Sequence, residues 1–235
     1  MNSAPNPHKW VHDVGGGWGK HELEYYTDSP RNSFQDGQGH LVIVARKERA
    51  EDRYCWQKPC EYTSGRLKTQ GKFTQQYGYF EARIQVPHGQ GIWPAFWMLG
   101  DNIDSVGCPA CGEIDVMESL GSEPDTVYGS AHGPPDGPGS QVNSYRLGGG
   151  RLLSNEFHTF GVEWAPDSVS WYIDGKKYAT YTKTQAAPKS WVYDRPFFLL
   201  LNVAVGGEWP GNPDSFTKFP QTMLVDYVRA YQRAS

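Results

Sequence analysis

Apolar and polar residues alternate along most of the chain with a period of two. Over residues 79–86, Phe80, Ala82, Ile84 and Val86 share one face and Tyr79, Glu81, Arg83 and Gln85 the other, the pattern of a half-buried strand. Val169, Trp171 and Ile173 repeat it, and Asp174-Gly175 then supplies a two-residue hairpin turn into a strand over 177–182. Further strands are expected at 40–46, 62–70, 95–99, 112–119, 126–132, 157–164, 197–205 and 223–232. No stretch carries three turns of helical periodicity. Many short strands with frequent turns predict an all-β sandwich of two antiparallel sheets packed face to face. The Gly/Pro-rich stretch 133–150 reads as a surface loop. Nothing resembles a linker, so residues 1–235 are expected to form a single domain.

Composition narrows the partners. Of 235 residues, 22 are Lys or Arg and 26 Asp or Glu, and the net charge of −4 offers no electrostatic reason to bind nucleic acid or a membrane surface. The longest apolar run, Phe197–Val205, is too short to span a bilayer and contains Asn202. The start of the chain is polar and turn-forming, unlike a signal peptide. Together with the cysteines this suggests a mature secreted form. Cys55/Cys60 and Cys108/Cys111 are close pairs, and two local disulfides are favoured over free thiols or zinc, because only Cys108-Pro-Ala-Cys111 has knuckle spacing. Gly15-Gly16-Gly17 lacks the spacing and following helix of a phosphate loop, and GxSxG, Walker and HExxH motifs are missing.

The informative segment is Gly112-Glu113-Ile114-Asp115-Val116-Met117-Glu118, in which three carboxylates sit among apolar residues. Crowded carboxylates cost stability, a cost usually met where function requires it. In a regular strand Glu113 and Asp115 share a face and Glu118 points away. A β-bulge at Val116/Met117 would return Glu118 to that face. Two carboxyls about 5–5.5 Å apart suit retaining glycoside hydrolysis, in which one is nucleophile and the other acid, then base. A metal site or a solvated strand face are the alternatives. Trp93 and Trp97 precede the acids, and Trp209 lies downstream between Gly-Gly-Glu and Pro-Gly. Their indoles could stack on the apolar faces of sugar rings, although any one of them could equally be core.

Glu-Ile-Asp-Val-Met-Glu resembles the signature of family 16 of the glycoside hydrolases, in the version with one extra residue found in laminarinases; lichenases carry the shorter version. The resemblance extends to Glu22-Leu23-Glu24-Tyr25-Tyr26-Thr27, residues 91–98, Ala131-His132-Gly133, Phe160-Gly161-Val162-Glu163-Trp164, residues 206–211 and Val225-Asp226-Tyr227-Val228-Arg229. It implies a β-jelly-roll with a substrate cleft across its concave sheet, and a retaining endo-β-1,3-glucanase that needs no cofactor for catalysis. Glu113 matches the nucleophile, Glu118 the acid/base and Asp115 the carboxylate between them. Trp93, Trp97 and Trp209 match cleft tryptophans, His132 a histidine near the acids, and Asn32 and Arg66 residues that bind glucose hydroxyls. The family often binds a structural calcium, here implied at Asp226 and the carbonyl near Gly39, although the chain starts after the family's usual first strand. The expected partner is a β-1,3-glucan, bound by a monomer. The same mechanism on mixed-linkage glucan or a galactan is the near alternative. A non-catalytic glucan-binding lectin is the distant one, and it would need neither glutamate.

Overall fold

The computed structural model describes residues 2–134, 140–187 and 190–232. One sheet runs, in spatial order, through β1 (Val11–His12), β6 (Arg66–Lys68), β15 (Phe197–Val205), β8 (Ile92–Gly100), β9 (Glu113–Glu118), β10 (Thr126–His132) and β11 (Ser140–Arg146). The other runs through β14 (Lys176–Thr182), β13 (Ser168–Ile173), β12 (His158–Ala165), β7 (Gly78–Gln85), β16 (Gln221–Tyr231), β4 (Leu41–Cys55), β5 (Lys58–Ser64) and β2 (Glu24–Tyr26), with β3 (Ser33–Gln35) paired to β4. Every pairing is antiparallel except β2 with β5. Helix is confined to single turns such as α1 (Ile103–Val106) and α2 (Lys183–Ala186), and among the described residues none is long and apolar enough to cross a membrane.

The two-residue periodicity translates directly into layers. Phe80, Ala82 and Ile84 of β7 and Val169, Trp171 and Ile173 of β13 point inward against Ile114, Val116, Met117, Leu199, Leu201 and Val203 of the facing sheet. The hairpin at Asp174-Gly175 forms as expected, with positive φ at both turn residues. β15 is buried along its whole length because both its faces are covered. Leu199, Leu201 and Val203 enter the core between the sheets, while Phe198 and Leu200 join Leu99, Cys111, Trp97 and Ile103 in a smaller cluster on the other face.

Two expectations need correction. The stretch 133–150 is not all loop: Ser140–Arg146 is an edge strand paired with β10 from Thr126↔Arg146 to His132↔Ser140; residues 135–139 lie outside the described residues. Only Cys55 and Cys60 are bonded. Cys108 and Cys111 are free thiols, the first exposed and the second buried.

Candidate active site

The outward face of the first sheet is organised in rows set by register. One row aligns Lys68, Leu200, Trp97, Asp115 and Ser130; a second aligns Leu99, Glu113 and His132; a third aligns Arg66, Asn202, Ala95, Glu118 and Tyr128. Between the first and third rows the ladder slips by one residue. Phe96 faces Met117 and Trp97 faces Asp115, so Val116 is extra on β9. Val116 and Met117 both turn into the core and are fully buried. Glu118 therefore returns to the face of Glu113 and Asp115, as the parity of the sequence requires.

The bulge is braced from beneath. Trp171, on the opposite sheet, crosses the core and donates its indole N–H to the Asp115 carbonyl at 2.8 Å. Opposite the bulge stands Gly129, where a Cβ would lie 2.4 Å from both Trp171 Cδ1 and Tyr178 Oη, so a larger residue cannot occupy the position without displacing them.

The three carboxyls are held by a small set of donors. Trp93 Nε1 donates to Glu118 Oε1 at 3.0 Å and Ser130 Oγ to Glu118 Oε2 at 3.3 Å. His132 Nε2 lies 3.0 Å from Asp115 Oδ2. Glu113 and Asp115 share a hydrogen bond. Burial, and next the charge of Asp115, pushes the Glu113 carboxyl up to about 8. Burial alone carries Asp115 to about 8. Glu118 is raised well above the ordinary carboxyl range, again by burial first and then by the charges of Asp115 and Glu113. Three acids this close and this buried cannot all ionise. Burial and their mutual repulsion push all three toward the neutral form.

Trp209 stands over this group, perpendicular to Trp93 at 5.3 Å and edge-on to Tyr128 at 5.1 Å. It is 38 % exposed, unlike the core tryptophans Trp164 and Trp171. On the other side of the acids the Arg66 guanidinium lies between the rings of Trp97 (4.8 Å) and Trp18 (4.4 Å), and its Nε is 3.0 Å from Asp13 Oδ2. Thus Trp93, Trp97, Trp209, His132 and Arg66 all gather around the three acids.

Asn32 does not join them. It is buried, its amide donates to the Val44 carbonyl and Thr63 Oγ1, and its Oδ1 accepts from Thr27 at 2.6 Å. With both its donor hydrogens and its carbonyl used inside the fold, it has no group left for a sugar hydroxyl, so its expected role is withdrawn. The calcium expectation also meets an obstacle. Asp226 Oδ2 is 2.6 Å from Arg83 Nη1, so its charge is already balanced by a guanidinium. One such carboxylate and a carbonyl near Gly39 are donors of the right type, but they supply only two of the six to eight oxygens calcium takes, so water or other carbonyls would have to complete the shell.

Sequence reasoning assigned no role to a buried polar chain that supports Trp97. The indole donates to Asn202 Oδ1 at 2.7 Å, and Asn202 Nδ2 donates to Tyr26 Oη at 3.1 Å. Tyr26 in turn reaches Glu22, which is hydrogen-bonded to Glu24. Burial raises the carboxyl of Glu22, and burial and then the charge of Glu22 lift that of Glu24 well above the usual range. The signals were present: a lone Asn inside an apolar run, and two acids at i,i+2 among tyrosines.

Comparison with known proteins agrees with this geometry. The model of the glycosyl hydrolases family 16 matches residues 21–229. The chain belongs to that family and is a glycoside hydrolase. It is 40 % identical to a beta-glucanase of Rhodothermus marinus, over 98 % of this chain and 82 % of that protein. It is 35 % identical to glucan endo-1,3-beta-glucosidase A1 of Niallia circulans, over 95 % of this chain but only 35 % of that longer protein. Among solved structures, the laminarinase catalytic domain of Thermotoga maritima superposes with a TM-score of 0.92 at 49 % identity, covering 98 % of this chain and 94 % of that one. The jelly-roll fold expected from the sequence is therefore shared with laminarinases of known structure.

Proposed function

We propose that the chain is a retaining endo-β-1,3-glucanase of the laminarinase type, with Glu113 as nucleophile, Glu118 as acid/base and Asp115 as the carboxyl that sets their balance. One observation carries this reading: the bulge at Val116/Met117 puts Glu118 on the same face as Glu113 and Asp115, where burial raises its carboxyl and Trp93 holds it. The relatives' names supply the linkage.

In the first half-reaction the Glu118 proton passes to the glycosidic oxygen as a Glu113 carboxylate oxygen attacks the anomeric carbon. The carbon–oxygen bond to the leaving sugar breaks and a glycosyl ester forms. In the second, a water gives its proton to Glu118 and its oxygen to the same carbon from the face the leaving sugar vacated. The ester bond breaks, Glu113 is again a carboxylate, and the anomeric configuration is retained. Both steps use only carboxyls and water. Trp93, Trp97 and Trp209 supply stacking faces, His132 holds Asp115, and Arg66 brings positive charge that favours the ionised form of Glu113. Secretion belongs to the same reading: the substrate is a polymer, and disulfides such as Cys55–Cys60 persist mainly in oxidising compartments.

Reducing-sugar release from laminarin, lichenan and agarose, with Glu118→Gln as the blank, tests the proposal. Laminarin should be cleaved best, and Glu113→Gln and Glu118→Gln should each lose turnover about a thousandfold or more while still binding glucan. Faster release from lichenan or agarose would reassign the substrate. Near-wild-type rates in either mutant would overturn the roles.

A further inference from the structure

The hairpin joining β4 to β5 ends in a two-residue turn, Trp56-Gln57, between Cys55 and Lys58, which face each other in register. Trp56 is the first turn residue and has a φ of 61°. Glycine is the usual occupant of such a position, and a bulky side chain there is an outlier that points to a use for it. The turn is tied down on both sides. Cys55 and Cys60 are bonded across its base. Gly16 packs so close that a Cβ there would lie 2.6 Å from the Tyr54 carbonyl and 3.1 Å from each sulfur of the disulfide.

The indole of Trp56 is not used by the fold: it is 48 % exposed. Among the described residues its ring neighbour is His21, at 4.7 Å between centroids and 37° between planes. His21 also has a positive φ, of 60°, and is fixed by a 2.8 Å bond from its Nδ1 to Glu208 Oε1. Two rings are thus held near one another on backbones neither favours. They border a groove of about 720 Å³ whose walls include Gln57, Lys58 and Asn212. That volume suits a sugar unit or two, and apolar ring faces flanked by amides and an ammonium are the chemistry that recognises a glucosyl residue.

The groove lies beside the loop that carries Trp209. Glu208, which anchors His21, immediately precedes Trp209, and Asn212 lies in the same loop. A glucan chain that follows this loop beyond Trp209 would reach the groove.

We propose that Trp56 and His21 form a distal subsite for β-glucan, engaging sugar units of the substrate chain beyond those gripped at the acids. This rests on the glucanase reading above. It makes the hairpin a determinant of substrate length: long chains reach Trp56 and short ones do not.

Steady-state kinetics on laminarin and on laminaritriose test it. Trp56→Gly removes the ring and suits the turn's backbone, so the fold should persist, as its melting temperature will report. Its KM for laminarin should rise about three- to tenfold with kcat unchanged, its kcat/KM for laminaritriose should match wild type, and Trp56→Tyr should recover most of the loss. Unchanged laminarin kinetics in Trp56→Gly would overturn the subsite, as would an equal loss on the trisaccharide, which would mark Trp56 as structural. Wild-type turnover of laminarin is the internal check. Its absence sinks the glucanase reading and the subsite together, whereas turnover with an indifferent Trp56→Gly sinks the subsite alone.

Discussion

Trp93 and Glu118 sit on adjacent strands, and the indole N–H of the first reaches Oε1 of the second at 3.0 Å. The bond favours the charged form of a carboxyl that burial keeps neutral. On the reading proposed above this tryptophan has two uses, a face for the sugar and an edge for the acid. Trp93→Phe keeps most of the face and removes the edge. The Glu118 carboxyl should then rise further, so that the alkaline limb of the kcat/KM profile moves to higher pH. A weaker acid gives its proton to the glycosidic oxygen less readily, and kcat/KM at the optimum should fall about tenfold. An unmoved alkaline limb would separate Trp93 from the acid.

Asp115→Asn removes a charge that raises both of its neighbours. Both limbs of the bell-shaped pH profile should shift to lower pH, with the activity at the optimum reduced. A change in height without displacement, measured on laminarin across pH, would show that Asp115 acts only through geometry.

Stability should depend on pH in the direction opposite to that of salt-bridged acids. Glu113 and Asp115 titrate at about 8 in the fold against ordinary values of 4.5 and 3.8. Between those limits the native state holds more protons than the unfolded chain, so stability falls as pH rises. The melting temperature should drop from about pH 5 to about pH 8, and Asp115→Asn should flatten that slope. Glu24→Gln is expected to flatten it as well, because Glu24 is fully buried beside Glu22, and burial and then that charge raise its carboxyl. Thermal melts at a series of pH values read all three proteins; a slope unchanged by both substitutions would refute the account.

Opening the Cys55–Cys60 bond frees a short loop, since the two are five residues apart. Cys55→Ser with Cys60→Ser should cost about 2 kcal/mol, or about 4–8 °C in melting temperature. Calorimetry with and without reductant tests this, and in the double mutant reductant should have no further effect.

Much of the site could be read from residue parity. Glu113, Asp115 and Glu118 can share a face only through one extra residue, and that argument needs no coordinates. The hairpin at Asp174-Gly175 was legible for the same local reasons. Other features depend on tertiary context. β11 lies in a polar, Gly- and Pro-rich stretch and sits at a sheet edge, where the backbone ladder holds a strand without a continuous apolar face. β4 continues to Cys55 through charged residues for a similar reason. Asn32 shows the converse error, because a polar residue read as a ligand is satisfied inside the fold. Arg66 could be named from the resemblance, but its place between Trp18 and Trp97 depends on a loop far from it in sequence.

The bulge also makes β9 unusually tolerant of a change in length at one point. A deletion within a paired strand normally inverts every side chain beyond it. Here Val116 and Met117 together occupy the place of a single inward residue. Losing either one would straighten the strand, leave a smaller core beneath it, and still present Glu118 to the cleft two positions after Asp115. A chain can therefore gain or shed a residue between its second and third acids without exchanging the inside and outside of the strand. At this one position, insertion and deletion are gentler changes than they are anywhere else along β9.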